Sequence, residues 1–100
     1  MSEKKYLLAT GKINKENMGL LQEYSANTSK LMEAAGGKLI SVFFTEEVLF
    51  GDNIPETLAV IEFPDAESIR NVINSGDYKK GIPLREKCFT ELNYFIGNKK

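Results

Sequence analysis

Lys38-Leu39-Ile40-Ser41-Val42-Phe43-Phe44-Thr45-Glu46-Glu47-Val48-Leu49-Phe50 is the stretch whose reading decides the architecture of this chain. Its β-branched and aromatic residues favour extended backbone. Ile40, Val42, Phe44, Val48 and Phe50 share one parity, while Leu39, Phe43 and Leu49 share the other. A strand with water on one side alternates apolar with polar residues; this one is apolar on both. Glu46-Glu47 interrupts the run and marks a bulge or an exposed edge.

Downstream, Gly51-Asp52-Asn53-Ile54-Pro55 is a turn cluster and Thr57 to Phe63 reads as a strand, so the two runs pair as an antiparallel hairpin. Asp65 is an N-cap for a second helix whose buried stripe is Ala66, Ile69, Val72 and Ile73, and Ser75-Gly76-Asp77 breaks that helix. Between Tyr78 and Lys87, Pro83 forbids a long helix, which leaves a turn or two of helix behind an irregular lead-in. Phe89 to Ile96 is the last strand, with Leu92, Tyr94 and Ile96 opposing Phe89 and Phe95.

Upstream, Lys5 to Ile13 is a short strand, apolar on both sides. Asn14 offers a side-chain acceptor to the free donors of a helix start, and Met18, Leu21, Tyr24, Ser25, Thr28, Leu31, Met32 and Ala35 recur at three and four. Gly36-Gly37 ends that helix, because the residue past a helix terminus often needs a left-handed conformation. Residues 1–97 therefore read as one α+β domain, and 98–100 as a frayed tail.

The order strand, helix, strand, strand, helix, strand is the ferredoxin-like βαββαβ arrangement, with both helices on one face of a four-stranded antiparallel sheet. The other face is left bare. Leaving about four large apolar side chains exposed there would forfeit roughly 1.5–3 kcal/mol each, comparable with the stability of a small domain. A second copy, sheet against sheet about a two-fold axis, is the simplest cover. A homodimer is therefore expected.

Composition narrows the chemistry. Lys and Arg total 13 against 14 Asp and Glu, for a net charge of −1, and histidine is absent. That removes the usual general base, the commonest metal ligand and the neutral-pH switch. The single cysteine, Cys88, forms neither an internal disulfide nor a thiolate metal cluster, and reads as a small buried hydrophobe in a reducing, cytoplasmic setting. The apolar run Tyr6-Leu7-Leu8-Ala9 is too short for a signal peptide or a membrane span. Asn27-Thr28-Ser29 matches a glycosylation sequon by chance, inside a helical pattern.

The element order is also that of the RNA-recognition motif, which stacks bases on aromatic rings of its central strands. Here those positions fall on Leu58 and Val60, and Glu56-Thr57 replaces the basic-glycine pair. With a pI near 5.5 and only scattered basic pairs, the chain offers no phosphate track, and nucleic acid is not an expected partner.

Tyr24, Gly36-Gly37, Gly51, Ile61-Glu62-Phe63-Pro64, Ser75-Gly76-Asp77-Tyr78 and Arg85, taken in this order and spacing over nearly the whole chain, resemble the family called domain of unknown function 1330. That family is similar to the dimeric α/β-barrel superfamily, which includes antibiotic-biosynthesis monooxygenases, haem-degrading monooxygenases and chlorite-dismutase-like proteins. The resemblance implies a homodimer and a cofactor-free pocket between the sheet and its own helices. It points to Tyr24, Tyr78 and Arg85, with Glu62 and Ser75 nearby, as ligand-binding candidates. Arg with its planar fork and Tyr with its hydroxyl suit a small anion or carboxylate.

The chain departs from the family pattern at Val42, Phe50 and Val72, where Arg, Glu and Trp are usual, which implies an altered or lost site. The Asn, Trp and His set of the haem-degrading relatives is excluded, since Trp and His are both absent. Beside a small-molecule enzyme or binding protein stands a non-catalytic scaffold or regulatory dimer. In that reading the tyrosines are core aromatics with satisfied hydroxyls, and Arg85 pairs with Glu62, Glu86 or Glu91.

Overall fold

A computed structural model describes residues 3–100. Strand β1 (Lys5–Ile13) leads through a 3-10 turn (Lys15–Asn17) into α1 (Met18–Ala34). Strands β2 (Lys38–Phe44) and β3 (Thr57–Phe63) follow, then α2 (Ala66–Ile73), α3 (Gly76–Lys80), α4 (Ile82–Cys88) and β4 (Phe89–Gly97). The strands form one sheet in the order β2-β3-β1-β4, every neighbouring pair antiparallel. This is the ferredoxin-like α+β architecture that the patterning predicts.

Local chemistry explains the element ends. Asn14 accepts a bond from the Glu16 N–H at 3.1 Å, although it caps the 3-10 turn and α1 proper begins only at Met18. Asp65 caps α2 by accepting from the Ser68 N–H at 2.7 Å. Gly36 takes φ +96°, and a Cβ on Gly37 would stand 2.7 Å from the Phe63 ring and 2.8 Å from the Met32 carbonyl. The α1–β2 corner therefore closes only over glycine.

The region from Tyr78 to Lys87 differs from expectation. There is no irregular lead-in. Ser75, which ends one helix, starts α3 by accepting from the Tyr78 N–H at 3.1 Å, and Pro83 falls in the first turn of α4, where a missing N–H costs nothing.

Two register shifts also revise the facing of the strands. Leu39 stands opposite Ile61 and Ser41 opposite Val60, so Ile40 is an extra residue. Leu39 therefore joins Val42 and Phe44 on the helix side, while Ile40 lies on the other side with Leu8 and Val60. In β4 a shift at Thr90 places Phe89 with Leu92 and Tyr94 rather than against them. β2 stops at Phe44, where the Thr45 N–H bonds the Glu56 carbonyl at 2.9 Å. Val48, Leu49 and Phe50 are thus loop residues, the last two 89% and 93% exposed. The paired carboxylates Glu46-Glu47 and the positive-φ turns at Gly51 and Asn53 take the chain out of the sheet.

The core lies between the sheet and the helices, where Leu7, Met32, Phe63, Ile69, Val72 and Tyr78 pack together. Cys88 is completely buried. The molecule is only 17 Å thick along its shortest axis, which accommodates one sheet and one helix layer. The opposite face of the sheet carries Leu8 between Val60 and Phe95, and Phe43 opposite Leu58. Phe43 is 58% exposed there.

Candidate functional site

Between α1 and the helix side of the sheet lies a cavity of about 320 Å³, open to solvent on the β2 side past the exposed Leu39, Val42 and Phe44 side chains. Its floor is Ala9, Ala59 and Leu92, its roof Leu21 and Met32, and Leu39, Val42 and Phe44 stand at the β2 edge. The small side chains create the space. Ala9 and Ala59 are register partners at the centre of the sheet, where larger residues would reach the roof. Most of the wall is hydrocarbon, and its polar groups are a few hydroxyls, among them Tyr24, Thr28 and Tyr94, together with the Glu33 carboxylate.

Tyr24 comes from α1, Tyr94 from β4 and Tyr78 from α3, and their hydroxyls meet. The Tyr24 oxygen lies 2.7 Å from that of Tyr94 and 3.0 Å from that of Tyr78. Arg85, one helix on, donates from Nη1 to the Tyr78 hydroxyl at 3.3 Å, with its guanidinium carbon 5.9 Å from the centre of the Tyr78 ring. The rings are also packed: Tyr24 meets Phe89 edge to face at 5.7 Å, and Tyr78 tilts against Tyr94 at 6.0 Å. Burial, reinforced by the Tyr78 hydroxyl, pushes the Tyr24 phenol well above its ordinary pKa. Burial and the charge of an ionised Tyr24 do the same for Tyr94. Both are neutral hydrogen-bonding groups at physiological pH. The Tyr78 hydroxyl raises the Arg85 pKa above its already high value, so the guanidinium stays charged.

Three of the five candidates from the sequence are thereby brought together: Tyr24, Tyr78 and Arg85. Ser75 touches the group only through the backbone, as the α3 cap, and its hydroxyl donates to the Val72 carbonyl at 2.7 Å. Glu62 lies on the opposite face of the sheet. It accepts from the Tyr6 hydroxyl at 3.1 Å and pairs with Lys4 at 3.2 Å, and the Lys4 ammonium holds its carboxyl below the usual range. Alternation decides this placement, since Ile61 and Phe63 on either side face the helices.

Arg85 forms no ion pair with Glu62, Glu86 or Glu91 among the described residues; its partner is a phenol. Tyr94 is the group member that sequence reasoning passes over, although it is the only tyrosine of the last strand. Of the three departures from the family pattern, Val42 lines the cavity, Val72 fills the core and Phe50 projects from the loop.

Among the described residues no three His, Cys, Asp or Glu side chains converge on a possible metal position, and no helix is long and apolar enough to cross a membrane.

Solved structures of the same fold include RPA0582 of Rhodopseudomonas palustris, a protein of unknown function, at 14% identity and TM-score 0.81, covering 100% of this chain and 85% of that one. SnoaB of Streptomyces nogalater, a cofactor-independent oxygenase, is similar at 8% identity and TM-score 0.71, with 99% and 95% covered. A NIPSNAP family protein of unknown function from Agrobacterium tumefaciens matches at 14% identity and TM-score 0.65, with 97% and 88% covered. At these identities the likeness is one of fold. None of the curated proteins matches this chain. The sequence profile of one family, however, matches residues 4–96, and on that match the chain belongs to the domain of unknown function family DUF1330.

Proposed function

We propose that this protein binds a small, largely apolar molecule in the cavity between α1 and the sheet, as a homodimer and without metal or organic cofactor. One observation carries the reading: a half-open apolar cavity of about 320 Å³ lies between α1 and the sheet beside a buried cluster of hydroxyls. Such a volume falls in the range of small-molecule sites, and so does an apolar wall with a few convergent polar groups. The fold shared with a cofactor-independent oxygenase is compatible with chemistry performed on the bound molecule by the protein alone.

Binding is tested by titrating naphthalene derivatives into the protein and following backbone amide shifts. Saturable shifts at Ala59, Leu92 and Met32, abolished in a folded Ala59→Phe variant, are expected. Shifts confined to the outer sheet face, or unchanged by Ala59→Phe, refute the cavity as the site.

The dimer rests on the apolar band of the bare face, where Ile40, Phe43 and Phe95 are exposed and Leu8, Leu58 and Val60 half-buried. This band is bordered by polar groups: the Tyr6, Glu62 and Lys4 cluster at one end and the Lys12–Glu91 pair, 3.6 Å apart, at the other. An apolar centre with a charged rim is the make-up of a protein interface. Sedimentation should return about twice the 11.2 kDa chain mass, and a persistent monomer would exclude this assembly.

A further inference from the structure

The hydrogen-bond chain Arg85–Tyr78–Tyr24–Tyr94 has a direction, and that direction selects the chemistry of the ligand. A guanidinium has five N–H donors and no acceptor, so the Arg85–Tyr78 contact fixes the Tyr78 oxygen as its acceptor. Each phenol brings one hydrogen. The three hydroxyls make two bonds among themselves, so one hydrogen remains without a protein acceptor. Three arrangements are open: the chain runs from Tyr94 towards Tyr78 and strands the hydrogen of Tyr78, which is 3% exposed; it runs from Tyr78 to Tyr24 to Tyr94; or both neighbours donate to Tyr24, which is 5% exposed and then strands its own hydrogen. Stranding a donor in the core is the costlier choice, and Arg85 cannot relieve it. The second direction leaves the free hydrogen on Tyr94, which lines the cavity.

Resting on the cavity reading above, we infer that Tyr94 is a dedicated hydrogen-bond donor to the ligand, and that the site selects apolar molecules bearing an acceptor: a ketone, quinone or carboxylate oxygen. Arg85 acts as the positioning residue. Its obligate donation orients the row of hydroxyls, and each polarised bond strengthens the next. Burial keeps the Tyr94 proton in place. The terminal group therefore donates and does not ionise.

Two isosteric probes differing only in oxygen against methylene, 2-acetylnaphthalene and 2-isopropenylnaphthalene, test this in the intact protein. The ketone should bind about three- to tenfold more tightly, the range for one neutral hydrogen bond. Its carbonyl stretch, read by infrared difference spectroscopy, should move to lower frequency on binding. Tyr94→Phe should abolish both the preference and the shift, so that the two probes bind alike. Arg85→Met should shrink the preference, and Arg85→Lys, still a donor without an acceptor, should restore it. Equal affinity for the two probes, with both displaced by Ala59→Phe, would overturn the donor assignment and leave the binding cavity standing. Failure of either probe to enter the cavity would overturn both.

Discussion

Tyr24→Phe removes one oxygen and little else. The ring stays, with its edge-to-face contact to Phe89 at 5.7 Å, so the apolar packing of this side chain, 5% exposed in the native fold, is retained. What disappears is the acceptor for Tyr78 and the donor to Tyr94. Tyr94 opens onto the cavity, where water can take the place of its lost partner. Tyr78 has no such recourse, and its hydroxyl hydrogen is left in the core without an acceptor. A stranded buried donor costs about 1–3 kcal/mol, so the substitution should destabilise the protein by about 2 kcal/mol.

Urea denaturation at fixed protein concentration measures this, provided the slope of the transition is unchanged. The chain makes a further demand. In the double variant Tyr24→Phe, Tyr78→Phe the stranded hydrogen is gone and the half-buried Arg85 can turn to solvent, so the second substitution should add much less than it costs alone. A Tyr24→Phe cost below about 0.5 kcal/mol, or strict additivity of the two, would refute the hydroxyl chain as described.

Phe43→Lys, on the β2 side of the bare face, should dissociate the proposed dimer: a ring loses its cover and each copy gains a charge within the interface, which sedimentation over a dilution series will show. Gly37→Ala should lower the unfolding midpoint substantially, because the new methyl meets the Phe63 ring and the Met32 carbonyl; an unchanged midpoint would mean that the corner relaxes freely. The Ser68 N–H holds the Asp65 carboxyl below its ordinary pKa, so the cap stabilises the fold above the unfolded-state value and loses that contribution as pH falls through the lowered folded one. Asp65→Asn should keep the cap and flatten this part of the acid limb, measured as midpoint against pH.

Much of this architecture is legible in the chain because its rules are local. Asp65, Gly36 and the parity of β3 each act on their own neighbours, and the hairpin follows from the turn cluster between two apolar runs. The misreadings come where pairing overrides spacing. No feature of Leu39-Ile40-Ser41 announces that one residue is extra; the bulge exists because β3 imposes its register on both sides of it. The same holds at Thr90, where Phe89 changes sides. Val48, Leu49 and Phe50 look like strand because their side chains prefer it, yet they have no partner strand to bond. In the site, Tyr24, Tyr78 and Arg85 stand out by residue type. Tyr94 becomes visible only once β4 is known to put its even residues from Leu92 onward towards the helices.

The position of β1 carries a kinetic consequence. It is the inner strand that bonds both β3 and β4, and its partners in β4 lie nearly the whole length of the chain away, with Tyr6 facing Gly97. During synthesis β1 emerges first and must wait for the last strand before its second edge is satisfied. Closing so distant a contact is slow, and an early strand with both apolar sides open is sticky in the meantime. The nascent chain should therefore depend on chaperone shelter, or on prompt capture of β1 by the β2–β3 hairpin, more than its modest size suggests.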